Sequence, residues 1–121
     1  MLFDKRERNS EGFWDIEPKE LKEKLDARSK IKLIDVRRPD EYVGELGHIE
    51  GSEMVTLETE FQASLKNWSK DETIVFICRS GMRSGRAAMF AEAHGFKEVY
   101  NMKGGMIEWN ASKLPVSYSL D

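Results

Sequence analysis

The sequence predicts a single α/β domain, with a five-stranded, mostly parallel sheet and helices on both faces. Three observations carry this expectation. Strand-like and helix-like segments alternate along the chain, the arrangement that builds parallel sheets from strand and crossover units. The run Thr73-Ile74-Val75-Phe76-Ile77 is β-branched or aromatic throughout, as suits a strand buried on both faces. Residues 85–94 follow soon after it, rich in alanine and closed by Gly95, and read as a helix with its C-terminal stop. At 121 residues the chain can bury one proper core and not two.

Taken in order, residues 1–12 are mostly charged or polar and end in Gly12, so a mobile arm is expected there. Phe13-Trp14-Asp15-Ile16 is short and apolar enough for an edge strand. Pro18 suits the first position of a helix running to about residue 27, with Leu21 and Leu25 on its inner side. Residues 31–36 form the second strand, closed by Asp35-Val36-Arg37. Pro39 opens a short helical turn through Glu41-Tyr42, and Gly44, Gly47 and Gly51 mark a loop that holds His48-Ile49. A brief strand over residues 53–56 comes next. Phe61, Leu65 and Trp68 recur at helical spacing, which predicts a helix over residues 59–68. Val99-Tyr100-Asn101-Met102 is the fifth strand, and Gly104-Gly105 leads into a short helix that carries Trp109 and ends by Pro115.

Composition narrows the function classes. Charged residues make up 34% and hydrophobic residues 40%, the balance of an ordinary globular domain. A net charge of −3 with no basic stripe argues against a nucleic-acid surface. No apolar run is long enough to span a membrane, and the N-terminus becomes charged too early for a signal peptide. One cysteine allows no internal disulfide, so a cytoplasmic location is expected. Two histidines and one cysteine show no ligand spacing, so no metal is expected, and nothing calls for another cofactor.

The chemistry concentrates in Cys78-Arg79-Ser80-Gly81-Met82-Arg83-Ser84. The cysteine sits at the carboxyl end of a central strand, ahead of a helix N-terminus, where open α/β sheets bind ligands. Loop N–H groups and the helix dipole favour negative charge there, so the thiol is expected to ionise readily. A free cysteine is often plain core. An inert one needs neither two nearby arginines nor a glycine that lets the loop curl. From Cys78 to Arg83 is six residues, a ring of amides tight enough for one anionic atom and too tight for a tetrahedral oxyanion. Arg79 and Arg83 are placed to bind the charged remainder of a substrate through forked hydrogen bonds.

Other polar residues read as structural. Asp35 and Arg37 end a neighbouring strand and border the same region, but Arg37 and Glu41 are spaced for a local ion pair and Asp35 suits a turn cap. His94 ends a helix, where it complements the dipole. His48 lies among glycines and is a conceivable base, though an ionised thiol needs none. Trp14, Trp68 and Trp109 read as core.

These residues resemble a known family. Cys78-Arg79-Ser80-Gly81-Met82-Arg83-Ser84 is similar to the active-site loop of single-domain rhodaneses, the thiosulfate sulfurtransferases. Asp35-Val36-Arg37 with Glu41-Tyr42, Gly47-His48-Ile49-Glu50-Gly51-Ser52, and Met102-Lys103-Gly104-Gly105 with Trp109 and Pro115 resemble three further signatures in the same order. The family usually continues after Gly51 into an alanine and an asparagine-isoleucine-proline turn, whereas Ser52-Glu53-Met54-Val55-Thr56 stands here. The resemblance implies a rhodanese domain over residues 13–116, with 117–121 as a tail. It implies Cys78 as the sulfur-carrying nucleophile, with Arg79, Ser80, Gly81, Met82 and Arg83 holding substrate and Asp35, Arg37 and Ser84 in support.

The activity implied is transfer of a sulfane sulfur through a Cys78 persulfide. The donor is a small anion such as thiosulfate, and the acceptor is cyanide, a thiol or a protein. Nucleic acid and membrane are not expected partners. Phosphatases of related fold carry a loop one residue longer. Arsenate reduction needs a second thiol, which only an external one such as glutathione supplies. A binding or regulatory module that lost turnover is the alternative of another class, and such modules commonly lack the cysteine.

Overall fold

Alternate side chains of the central strand meet different helices, and that alternation organises the molecule. The computed structural model describes residues 2–119. In chain order its elements are β1 (Glu7–Arg8), β2 (Trp14–Ile16), α1 (Pro18–Asp26), β3 (Lys32–Asp35), α2 (Pro39–Tyr42), β4 (Glu53–Met54), α3 (Phe61–Leu65), β5 (Thr73–Ile77), α4 (Met82–Ala93), β6 (Glu98–Met102) and α5 (Gly105–Ala111). On β5, Ile74 and Phe76 join a core with Ala87, Ala88 and Ala91 of α4 and Phe61 and Leu65 of α3. Val75 and Ile77 join a second core with Leu21 of α1 and Met106 and Trp109 of α5. Period-two alternation thus assigns one face to α3 and α4 and the other to α1 and α5.

The sheet order is β1-β2-β6-β5-β3-β4, with every pair parallel except β1 and β2. The α/β class with helices on both faces is as the sequence indicates. The strand count is six where five were expected. The added strand is β1, which pairs Glu7 with Asp15 and Arg8 with Trp14.

It lies within the segment expected to be a mobile arm, and that segment is packed onto the domain. Phe3 is fully buried against Tyr100, with ring centroids 4.9 Å apart, and Arg6 and Arg8 each lie 4.4 Å from the Trp14 ring centre. The high charge content hid one buried aromatic anchor and two cation–π contacts. At the other end, Ser117 bridges to the His48 backbone, so the tail expected from residue 117 begins with a paired residue. Met1 and residues 120–121 of the expected arm and tail lie outside the described residues.

Two helix boundaries also differ from expectation. The third helix is confined to Phe61–Leu65, while Trp68 still packs against that core. Helix α4 starts three residues earlier than expected, at Met82, with Gly81 as its N-cap at φ +98°. A left-handed residue there is cheap for glycine, and it lets the strand turn into the helix within four residues. No helix among the described residues is long and apolar enough to cross a membrane.

Candidate active site

Cys78 follows β5 directly and continues the side-chain alternation of Ile74 and Phe76, so its sulfur faces α4. The flanking strands are β3 on one side and β6 on the other, in register through Asp35↔Ile77 and Phe76↔Asn101. The thiol is therefore set at the carboxyl edge of a parallel sheet, under the start of a helix. Only 1% of the residue is exposed. Two donors reach Sγ: the Gly81 N–H at 3.0 Å and the Ser84 hydroxyl at 3.2 Å. The amide stabilises negative charge on sulfur, and the hydroxyl does so when its one hydrogen is turned to Sγ.

The loop is held from below by α5. The Met106 N–H donates to the Cys78 carbonyl at 2.9 Å, and the Ile107 N–H donates to the Arg79 carbonyl at 3.0 Å. These are first-turn amides with no partner inside their own helix, and the cysteine loop satisfies them. Gly105 makes the approach possible. A Cβ on it would stand 2.5 Å from the Arg79 carbonyl carbon and oxygen and from the Cys78 carbonyl oxygen. The Gly104-Gly105 pair and the cysteine loop, 26 residues apart in the chain between Cys78 and Gly104, are one structural unit.

The arginines divide into two kinds. Arg79 is exposed, as is Ser80, and Arg79 enters no ion pair among the described residues. Arg83 is instead engaged by α2: its Nη1 and Nη2 each donate to a different oxygen of Glu41 at 2.8 Å. The sequence reading paired Glu41 with Arg37, and the structure corrects this. Arg37 is turned back onto Asp35, donating from Nε at 2.9 Å and from Nη2 at 2.8 Å, with both residues buried. It also donates to the carbonyls of Glu41 and Gly47, at 3.1 and 2.7 Å. Asp35 accepts from the Arg37 N–H at 3.1 Å, which closes the turn as expected of a cap. Asp35 and Arg37 thus brace the segment between α2 and His48, and their charges are spent on each other.

The Glu41–Arg83 pair has a pH signature. Hydrogen bonds from Arg83 hold the Glu41 carboxyl at about 2 against an ordinary 4.5, with burial opposing. The same pair pushes Arg83 further above its ordinary value. Because the folded value of Glu41 lies below the unfolded one, the stabilisation is complete above about pH 4.5 and is lost as pH falls toward 2. Glu41→Gln is expected to destabilise the protein by about 1–3 kcal/mol near neutral pH. In urea unfolding over a pH series, the gap between wild type and variant should close near pH 2. A gap that stays constant with pH would mean the contact acts through packing alone.

The remaining expectations fall as follows. Met82 is exposed on the first turn of α4, and Ser84 is buried beside the sulfur. His48 is buried away from solvent, its Nδ1–H donating to the Tyr42 carbonyl at 2.7 Å and its ring stacked on Tyr42 at 3.7 Å. His94 caps α4 and bonds the Phe90 carbonyl, the structural part expected of it. Trp109 is core, Trp68 and Trp14 are partly buried against the two cores. No cluster of ligating side chains suited to a metal ion occurs among the described residues.

Sequence reasoning passed over Asp15 and Asn101. Both lie on the α4 face of the sheet, where their strand neighbours are buried and apolar. Asn101 accepts a hydrogen bond from Ser84 on Oδ1 and donates from Nδ2 to Asp15 Oδ1 at 2.8 Å. The available signal was a polar residue at a buried position of an otherwise apolar strand, which requires a partner.

Comparison with known proteins places the chain in a family. The sequence pattern of the Rhodanese-like domain matches residues 17–112. The chain belongs to the rhodanese-like family. It is 40% identical over 95 residues to the putative sulfurtransferase YtwF of Bacillus subtilis, covering 78% of this chain and 88% of that protein. It is 32% identical over 93 residues to the thiosulfate sulfurtransferase GlpE of Pseudoalteromonas translucida, covering 71% of this chain and 78% of the relative. A rhodanese-related protein from Thermoplasma volcanium superposes with a TM-score of 0.76 at 26% identity, covering 87% of this chain and 98% of that one. The family resemblance read from the four signatures is thereby established, and with it membership of a sulfurtransferase family.

Proposed function

We propose that the protein is a sulfurtransferase that carries a sulfane sulfur on Cys78, taking it from thiosulfate or a related anion. The observation that carries this reading is the sulfur's position: one anionic atom at Sγ meets the Gly81 amide and the Ser84 hydroxyl at 3.0 and 3.2 Å. The helix begins only four residues after Cys78, which leaves no span for a ring around a phosphate. In the first half-reaction the Cys78 thiolate attacks the outer sulfur of thiosulfate. The sulfur–sulfur bond of the donor breaks and sulfite leaves with the electron pair, so no general acid is needed. In the second, a nucleophilic acceptor such as cyanide or a thiol attacks the outer sulfur, and Cys78 leaves as the thiolate. With Cys78 1% exposed, the rim of the loop must yield before a donor touches Sγ. Protein thiols are further candidate acceptors. A reducing cytoplasm suits a single catalytic thiol.

The charged remainder of the donor falls to Arg79, since Arg83 is held by Glu41 and serves to brace the loop against α2. The test is to follow thiocyanate formation from thiosulfate and cyanide with the purified protein. Arg79→Gln should lower kcat/KM for thiosulfate by about tenfold to a hundredfold and leave discharge of a preformed persulfide to cyanide unchanged. Equal slowing of both halves would assign Arg79 to loop structure. No thiocyanate from thiosulfate, with none from other sulfane donors such as thiosulfonates, would refute sulfur transfer.

A further inference from the structure

A row of polar side chains crosses the α4 face of the sheet beneath the cysteine, and its order has a consequence for the sulfur. Asp15 on β2, Asn101 on β6 and Cys78 after β5 lie on three adjacent strands and face the same way, with Ser84 of α4 above them. All four are buried: Asp15 5%, Asn101 2%, Ser84 0% and Cys78 1% exposed. Asp15 fixes the amide. Its Oδ1 accepts from Asn101 Nδ2 at 2.8 Å, and its Oδ2 accepts from Asn9 Nδ2 at 3.1 Å. A carboxylate accepts only, so Asn101 must present its own Oδ1 to Ser84.

Ser84 then has one hydrogen and two takers. Its hydroxyl is within bonding distance of both Asn101 Oδ1 and Cys78 Sγ. With Cys78 as a thiol, one direction satisfies every group: S–H to Ser84, Ser84 to Asn101, Asn101 to Asp15. With Cys78 as a thiolate, the sulfur needs that hydrogen, and giving it up leaves the Asn101 carbonyl facing a lone pair. We propose that Asn101, oriented by Asp15, is a positioning residue that competes with Cys78 for the Ser84 hydrogen and so holds back ionisation of the thiol. This rests on Cys78 being the sulfur carrier, but its test does not.

The competition predicts shifts of opposite sign. Asn101→Leu removes the rival acceptor, hands the hydrogen to sulfur, and should raise the acid constant of the thiol about tenfold. Ser84→Ala removes the donor and should lower it by a similar factor. In a Ser84→Ala background, Asn101→Leu should have no further effect, because it acts only through the hydroxyl. Other charged groups near the loop remain in all variants: Arg79, the Arg83–Glu41 pair, the Asp35–Arg37 pair and Glu108 on α5, beside Gly104. Their influence therefore cancels in the comparison.

The experiment is a pH titration of thiolate absorbance near the ultraviolet peptide edge, which needs no reagent to reach the buried sulfur. Since Cys78 is the only cysteine, the signal has one source. Thermal melts check that each variant is folded, and Asn101→Ala replaces the leucine variant if that one is not. A lower midpoint for the Asn101 variant, a higher one for Ser84→Ala, and no effect of Asn101 in the double variant support the proposal. Shifts of the same sign, or an Asn101 effect that persists without the Ser84 hydroxyl, would overturn it. If the midpoints move as stated and the protein still transfers no sulfur, the proposed function fails while the relay stands.

Discussion

Cys78→Ala is expected to abolish sulfur transfer, with a fall in turnover of at least about three orders of magnitude. Nothing else in the chain can take over. There is no second cysteine, His48 is committed to the Tyr42 carbonyl, the Gly81 amide has no free electron pair, and the Ser84 hydroxyl faces an amide oxygen that is too weak a base to activate it. The substitution removes one buried sulfur from a site bounded by Gly81 and Ser84, so the fold should persist and the loss should be chemical. A circular dichroism spectrum and melting curve close to wild type, beside a dead assay, are the expected pair of results. Retained turnover would mean that another group carries the sulfur.

Gly105→Ala should have the second largest effect, on both stability and rate. The new methyl would stand 2.5 Å from three backbone atoms of the cysteine loop, at a residue with φ +59°. Backbone cannot rotate aside as a side chain can, so either α5 or the loop must move. Left-handed strain and overpacking together are expected to destabilise the protein by about 2–5 kcal/mol. The bonds from Met106 and Ile107 to the loop carbonyls should lengthen with it. A shift of the thiol by roughly 1 Å is worth about a hundredfold in rate. Gly51→Ala is the control, since Gly51 has φ +90° with nothing within 4 Å of the added Cβ. It carries the strain without the clash, so it should lose about 1 kcal/mol and keep its activity. Equal effects at the two glycines would show that contact with the loop is irrelevant.

What the sequence made legible was local. The apolar run of β5, the alanines and glycine of α4 and the punctuation by Gly and Pro all act within a dozen residues. They placed the cysteine at a strand end below a helix. What it hid was mostly long-range pairing. Four residues separate Glu41 from Arg37, the spacing of a local pair, yet its partner is Arg83, 42 residues away, brought in where α2 meets the first turn of α4. Asn101 meets Asp15 across 86 residues. The sixth strand escaped because two residues of a charged segment carry no period, and its pairing is licensed by Phe3 and Trp14 burying against the domain. The Gly104-Gly105 signature was visible as a pattern, but its reason, the close approach of α5 to the cysteine loop, exists only in three dimensions.

If sulfur resides on Cys78 between two half-reactions, the intact mass of the protein must record it. The protein is treated with thiosulfate, freed of small molecules and weighed, then exposed to cyanide and weighed again. The expected result is a gain of one sulfur atom that maps to the peptide holding Cys78 and disappears with cyanide as thiocyanate forms in equal amount. Cys78→Ala should show no gain. A gain that survives in Cys78→Ala, or thiocyanate produced while the wild-type mass never changes, would contradict a sulfur carried on Cys78.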